Sequence, residues 1–218
     1  MVTVEVDSER VESRLAAGEL SCPSCPRGVL TGWGFARARR VVGRAEPVRP
    51  RRSRCRSCAV THVLLPVTLL LRRAYLADLI WAALTAKANG GGHRLIGARL
   101  GIPASTVRGW LRVMTERAEA VRHWFVAITV AVGVDVSIPK ATGSRCGDVL
   151  AAVGAAQEAI EVRFGERSVI GAVTPAHVAV VCSGGRLLSP GWPRAPKPVR
   201  ATPLDPDVRG EDRSSSRG

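Results

Sequence analysis

Two Cys-x-x-Cys pairs, Cys22 with Cys25 and Cys55 with Cys58, constrain the fold of this 218-residue chain more than any other feature. A tight turn at each pair can direct two thiolates to one point, and two such turns complete a tetrahedral zinc site. The 29 residues between the pairs have too little apolar periodicity to fold alone, so a metal would have to supply folding free energy. The spacing predicts a small β zinc ribbon over residues 20–65, with one structural Zn²⁺ bound by the four cysteines.

Other uses of these residues fit the sequence less well. A redox-active pair would normally lie within a βαβ pattern, and neither pair does. His62 could replace one cysteine as a ligand, but four cysteines already fill a structural site. Cys146 and Cys182 stand apart from the pairs. We therefore expect both to be buried structural thiols.

Positive charge is concentrated in the same segment. The chain has 32 basic and 18 acidic residues, and ten arginines lie between Cys22 and His62 with Glu46 as the one acidic residue there. A solvated surface usually mixes both signs, whereas clustered arginines are typical of a surface that contacts phosphates. An arginine bias from a GC-rich genome is the alternative. The predicted phosphate contacts are Arg51, Arg52, Arg54 and Arg56. Trp33 and Phe35 could stack on bases, but we expect them to cover the small ribbon core.

A second pattern, GARLGIPASTVRGWLR at residues 97–112, predicts a helix-turn-helix within a domain spanning residues 68–126. Periodicity predicts helices at about 70–88 and 93–100 and a third that starts after Pro103. Gly97, Gly101 and Ile102 suit the turn between the last two helices. Packing of the apolar positions leaves four side chains of the third helix facing outward to read DNA bases: Ser105, Thr106, Arg108 and Arg112.

The remaining sequence predicts a helical extension at residues 127–189 and a disordered tail at 190–218. Helices are expected at about 146–164, ended by Gly165, and at about 175–183, capped by Thr174. The extension could pack on the helix-turn-helix or form a dimer interface. Residues 1–18 are expected to be loose, and the tail is rich in proline and serine. The predicted fold is therefore mainly α, with a small β ribbon before the helical domain.

The order CPSC, CRSC and HRLIGARLGIPASTVRGWLR resembles the N-terminal DNA-binding part of bacterial insertion-sequence transposases. It is more closely similar to small bacterial proteins with the same zinc ribbon and helix-turn-helix but no catalytic domain. The resemblance covers about residues 20–125. It implies that the four cysteines bind zinc and that residues 104–114 form a recognition helix, whereas the acidic catalytic domain of a transposase is missing.

These patterns predict a sequence-specific double-stranded DNA-binding protein, either a transcription regulator or a targeting protein of a mobile element. The alternatives are a protein-interaction adaptor and the DNA-binding fragment of a transposase whose catalytic part is separate. Scattered histidines and carboxylates, with no phosphate-binding glycine loop, predict that the chain is not an enzyme. Expected partners are double-stranded DNA, a second copy of the chain or a transposase.

The expected location is the cytoplasm. Residues 1–20 contain five acidic residues and no apolar segment typical of a secretory signal. The longest apolar run, residues 124–134, is shorter than the roughly 20 residues that cross a bilayer. No membrane association is therefore expected, and a reducing compartment agrees with cysteines used as metal ligands.

Overall fold

A four-stranded mixed sheet forms the N-terminal part of the computed structural model, which describes residues 1–133, 136–165, 167–168 and 171–193. Its strands are β1 (Val2–Val4), β2 (Leu30–Phe35), β3 (Arg51–Cys55) and β4 (Thr61–Pro66). The strand order is β1-β4-β3-β2, with β1 parallel to β4 and the other neighbours antiparallel. The sheet is thus wider than a ribbon limited to residues 20–65.

The first 18 residues are ordered, so the expectation that they are loose was wrong. They form β1 and then α1 (Ser8–Ala17), which begins at an Asp7 cap that accepts a hydrogen bond from the backbone N–H of Glu9 at 2.9 Å. The apolar side of α1, Val11 and Leu15, is buried in the same core as Leu30 and Leu64 of the sheet. This burial, which sequence periodicity over so short a helix did not reveal, holds the segment in place.

The C-terminal part is helical. Its helices are α2 (Ala77–Ala88), α3 (His93–Leu100), α4 (Ala104–Val132), α5 (Arg145–Phe164) and α6 (Pro175–Cys182), with a short hairpin of β5 (Arg167–Ser168) and β6 (Gly171–Ala172) between α5 and α6. One hydrophobic core contains side chains from all five of these helices. The predicted extension at 127–189 therefore packs on the predicted helix-turn-helix region. No helix in the described part of the chain is long and apolar enough to cross a membrane.

Helix α2 begins at Ala77, later than the predicted start near residue 70. Residues 69–76 instead fold back on themselves, with a bridge between Leu69 and Leu76 and a left-handed Arg72 at φ 58°. Leu69 and Leu70 are fully buried in this turn. The apolar residues there were consistent with a helix, but tertiary burial placed them in a turn.

Helices α3 and α4 meet at a tight bend. Gly101 ends α3 in the left-handed conformation at φ 65°, and the N–H of Ile102 donates to the Gly97 carbonyl at 2.9 Å. Ile102 is buried beneath the bend. A Cβ on Gly97 would lie 2.7 Å from the Ile102 carbonyl oxygen and 3.2 Å from the Ala104 Cα. The small residue at position 97 thus permits the close approach of the two helices.

Other helix predictions were confirmed. α5 ends before Gly165 as expected, and the Thr174 hydroxyl caps α6 by accepting from the N–H of His177 at 3.2 Å. The apolar run predicted at 124–134 continues α4 to Val132, and Val134 lies outside the described residues.

Trp192, by contrast, is packed on the helices, although the disordered tail was predicted to start at residue 190. Trp192 is 6% exposed, with its ring centroid 5.7 Å from that of Trp124 and 6.5 Å from that of Phe125. The proline content of this segment favoured disorder, but the free energy gained by burying the Trp192 indole keeps the residue in place. The rest of the predicted tail, 194–218, lies outside the described residues.

The bend between α3 and α4 yields a paired stability prediction. Gly97→Ala should lower the free energy of unfolding by about 1–3 kcal/mol, because its Cβ has no room. Gly109→Ala, on α4 with open space at the Cβ position, should raise it by about 0.5–1 kcal/mol. Urea denaturation followed by circular dichroism measures both. Equal effects of the two substitutions would contradict a close approach at Gly97.

Candidate metal centre

Four cysteine sulfurs converge at one end of the sheet. The Sγ atoms of Cys22, Cys25, Cys55 and Cys58 all lie within 4.8 Å of one another. Cys22 and Cys58 are separated by 3.7 Å between sulfurs, and Cys25 and Cys55 by 3.6 Å. A tetrahedral ion with metal–sulfur bonds of about 2.3 Å requires sulfurs about 3.8 Å apart. The four cysteines can therefore hold a metal ion, and none of them forms a disulfide.

Backbone hydrogen bonds shape both turns that carry these cysteines. The N–H of Cys22 donates to the Gly28 carbonyl at 2.7 Å, and the N–H of Cys55 donates to the Val60 carbonyl at 3.0 Å. Ala59 closes the second turn with a left-handed φ of 59°, a conformation that larger side chains tolerate poorly. Each turn thus holds its pair of sulfurs on the same side of the chain.

Gly28 is the residue on which the approach of the two pairs depends. A Cβ at this position would lie well inside van der Waals contact with the sulfurs of Cys25 and Cys55, and 2.8 Å from the Cys22 Cβ. Only hydrogen at this Cα leaves the space in which the sulfurs meet.

The backbone also controls the charge of the sulfurs. The N–H groups of Cys58 and Ser57 point at the Cys55 sulfur, at 3.4 and 3.3 Å, and lower the pKa of Cys55 to about 6. The pKa of Cys25 is raised to about 12, first because its thiol bonds to the Cys55 sulfur and then because it is desolvated. Because a metal ion binds the thiolate form of cysteine, metal binding at this pair would release protons.

His62 lies beside the cysteines. It is 5% exposed, and its Nε2 is 3.4 Å from the Cys22 sulfur. Burial lowers the pKa of His62, and the neighbouring N-terminal ammonium lowers it further. Among the described residues, the group that could hold a metal ion consists of the four cysteines. His62 therefore contacts the sulfur of one candidate ligand and does not take the place of a cysteine. The sequence suggested His62 only as an alternative ligand. Its contact with Cys22 could not be predicted, because it depends on the pairing of β4 with β3 that places His62 opposite Ser53.

The two isolated cysteines lie away from this centre. Cys146 is buried in the helical core, and burial raises the pKa of its thiol. Cys182 is half-buried at the end of α6, and desolvation raises its pKa to about 11. Both thiols stay protonated at neutral pH. The expectation of a buried thiol is confirmed for Cys146 and is wrong for Cys182, which is only partly buried.

The four arginines predicted to contact phosphates lie in different surroundings. Arg51 is held by Glu12 on α1, with its Nε 2.5 Å from one carboxylate oxygen, and it also donates to the Gly34 carbonyl at 2.7 Å. Arg54 donates to the Ala59 carbonyl at 3.2 Å. Arg52 is half-buried and Arg56 is exposed. Of the four arginines, Arg56 is thus the most accessible to solvent, whereas most of the Arg51 guanidinium is bonded within the protein.

Three of the four residues predicted to read bases lie on one side of α4, and Thr106 lies nearer the buried side of the helix. Ser105, Arg108 and Arg112 are exposed and Thr106 is half-buried. The opposite side of the helix, with Val107 and Trp110, is buried. Arg112 pairs with the exposed Glu116 at 3.8 Å, one turn along the helix. An exposed pair of this kind is weak, so Arg112 can exchange this partner for another.

Trp33 and Phe35 do not cover the ribbon core, so that expectation was wrong. Their side chains are 51% and 49% exposed. The Arg54 guanidinium lies 4.7 Å from the Trp33 ring centroid, and that of Arg51 lies 4.7 Å from the Phe35 centroid. Leu30, Leu64 and the α1 side chains already fill the core, which leaves no place for two aromatic rings.

The arrangement is therefore a four-cysteine cluster that could hold a metal ion, at one end of an arginine-rich sheet. Comparison of the chain with protein-family models, curated proteins and solved structures finds no match.

A substitution at Gly28 tests the geometry of the centre. Gly28→Ala should weaken metal affinity about 10- to 100-fold, because the added methyl group pushes the sulfurs apart. Titration with Co²⁺, followed by its thiolate absorption bands, measures the affinity. Gly154→Ala, in open space on α5, is the matched control and should bind Co²⁺ as the unchanged protein does. Unchanged affinity in Gly28→Ala would contradict a site formed by these four sulfurs.

Proposed function

We propose that the four cysteines bind one structural Zn²⁺. The observation that carries this proposal is the set of sulfur separations, which suits a tetrahedral ion with four thiolate ligands. Four protein ligands leave no open coordination position, so the ion would stabilise the fold and would not activate water. Soft thiolate ligands in a tetrahedral set favour zinc or an iron–sulfur centre over magnesium or calcium.

We further propose that the chain binds double-stranded DNA through a helix-turn-helix formed by α3 and α4. The main support for this proposal is that α4 buries Val107 and Trp110 while Arg108 and Arg112 in its N-terminal half are exposed. In proteins of this class the N-terminal residues of the second helix contact base edges in the major groove. Arginine can donate two hydrogen bonds to guanine, and Ser105 and Thr106 can contact either bases or phosphates.

The charge around this helix supports the proposal. The first turn of α4 has no acidic residue, so the positive end of the helix dipole is left for an anion. Arg94 and Arg99 of α3 are exposed nearby in the sequence. In this proposal these groups would bind DNA phosphates.

The metal-stabilised sheet would add contacts that do not depend on base sequence. Arg56, exposed in the turn between Cys55 and Cys58, is best placed for a phosphate. Arg52 and Arg54 follow, whereas Arg51 already has Glu12 as a partner. Whether the protein is a regulator or a mobile-element targeting protein stays a prediction from the resemblance, and the absence of catalysis stays a prediction from the sequence.

The identity of the metal has a direct test. Protein purified from cells should contain one zinc ion per chain by elemental analysis, and chelation should lower its thermal midpoint. Cys58→Ser should lose most of the zinc because one of four ligands is weakened. Cys146→Ser should retain it, since Cys146 lies in the helical core. Iron in place of zinc, or full retention by Cys58→Ser, would refute the assignment.

The two classes of arginine should respond differently to substitution. Arg108→Ala should cost about 1–3 kcal/mol on the preferred duplex and relax the preference at one position. Arg56→Ala should weaken binding to all duplexes alike and reduce the slope of log affinity against log salt by about one. Selection from a random duplex library with zinc-loaded protein, followed by gel shifts at two salt concentrations, measures both.

Two outcomes would overturn the DNA-binding proposal or part of it. Equal losses on every duplex after Arg108→Ala would remove base reading from α4. No salt-dependent binding to any duplex would favour the alternative of a protein-interaction adaptor.

A further inference from the structure

In the sheet formed by β2, β3 and β4, α1 covers one face and the other face is partly open. On that second face Trp33 and Thr61 are exposed, whereas Leu65 near the end of β4 is buried against Val41 and Leu69. The covered face carries Leu30, Cys55 and Leu64, which pack against α1. Cross-strand pairs place Thr31 beside Arg54, Arg54 beside Thr61, and Arg52 beside Val63 on the other face. Stacking of Arg54 over the Trp33 ring places that ring on the same face. We call the surface made by these six residues the open sheet face: Thr31, Trp33, Arg52, Arg54, Thr61 and Val63.

Trp33 gives the open sheet face its chemical character. An indole that is 51% exposed loses much of the stabilisation that burial would provide. One side of its ring is covered by the Arg54 guanidinium, at 4.7 Å from the centroid. A flat group can stack on an indole that is already held in place in this way, at little cost in side-chain entropy.

The turn that carries Cys55 and Cys58 holds this stack in place. Arg54 donates from Nε to the carbonyl of Ala59 at 3.2 Å. Ala59 belongs to the turn that carries Cys55 and Cys58, and its N–H donates to the Cys55 carbonyl at 3.1 Å. The position of the guanidinium over Trp33 is thus tied to the cysteine turn.

Charge identifies the class of ligand. The open sheet face contains Arg52 and Arg54 and no acidic residue, and it lies in the segment where Glu46 is the one acidic residue among ten arginines. An exposed aromatic ring next to arginines is suited to a polyanion that also has flat apolar rings. Nucleic acid has both, because its bases stack on aromatic side chains while its phosphates pair with arginine.

We propose that the open sheet face binds single-stranded DNA, with Trp33 stacked on an unpaired base. A base within a duplex is already stacked on both of its neighbours, so only an unpaired base has a free face for Trp33. This site is separate from the proposed duplex contacts of α4 and of Arg56, and its Arg52 and Arg54 would bind phosphates of either a duplex or a single strand. The choice of DNA over RNA rests on the proposed function, because one protein would then hold the duplex and an adjoining unpaired strand of the same nucleic acid.

The test uses the zinc-loaded full chain and a fluorescent 20-mer of thymidine, with affinity measured by anisotropy. Trp33→Ala should weaken binding to this single strand by about 5- to 100-fold, whereas Trp33→Phe should retain most of it. Affinity of Trp33→Ala for the preferred duplex should change less than twofold. Equal single-strand affinities for the unchanged protein and Trp33→Ala would overturn the proposal.

A second variant covers the case in which Trp33→Ala fails to fold. Thr61 is exposed on the open sheet face, and Thr61→Glu should weaken single-strand binding at least fivefold by repelling phosphates. Ala16→Glu adds the same charge at an exposed position of α1, which lies on the opposite side of the sheet. This control should change the single-strand affinity less than twofold. Equal effects of the two charges would refute binding at the open sheet face.

Further measurements distinguish this proposal from the proposed duplex binding by α4. Tighter binding to a 20-mer of uridine than to the thymidine strand would overturn the choice of DNA. Loss of duplex binding in Arg108→Ala with intact single-strand binding would support two separate surfaces. Failure of the chain to bind any duplex, with Trp33-dependent binding to the thymidine strand, would refute the α4 proposal and leave this one standing.

Discussion

The approach of four cysteine sulfurs to within 4.8 Å is the interaction on which the N-terminal half of the molecule depends. Thiolates this close repel one another, and desolvation penalises their charge further. The backbone N–H groups around Cys55 stabilise one negative charge, but a cation is needed to stabilise more. The turns at Gly28 and Ala59 are built to hold the sulfurs at this distance. A metal ion would convert a repulsive cluster into a cross-link between two distant parts of the chain.

That cross-link has consequences for surfaces that do not touch the metal. The turn after Cys55 presents the Ala59 carbonyl to Arg54, which in turn lies over Trp33. On the other side of the sheet, Glu12 of α1 binds Arg51. The arginines of this segment therefore do not form one uniform cationic surface. Some are structural, and others are oriented toward solvent by contacts that depend on the cysteine turns.

The helical half depends on a different constraint, the close contact at the bend between α3 and α4. Gly97 and Gly101 allow the bend, and Ile102 is buried beneath it. Burial of Val107 and Trp110 then determines which side of α4 faces solvent. α5, α6 and Trp192 complete the same core. One side of the first turns of α4, with Ser105, Arg108 and Arg112, is thereby left facing solvent, a geometry suited to the duplex-binding role proposed for it.

Local patterns in the sequence were enough to identify the four cysteines as a group, the span of α3, the start of α4 after Pro103, and the ends of α5 and α6. Spacing, glycine and capping residues act over a few positions, so they can be read without the fold. The tertiary structure alone decided that residues 1–18 form a strand and a helix and that residues 69–76 form a turn. It also decided the contact of His62 with Cys22 and the exposure of Trp33. Each of these depends on a partner far away in the chain, because strand pairing and competition for a small core decide which side chains are buried.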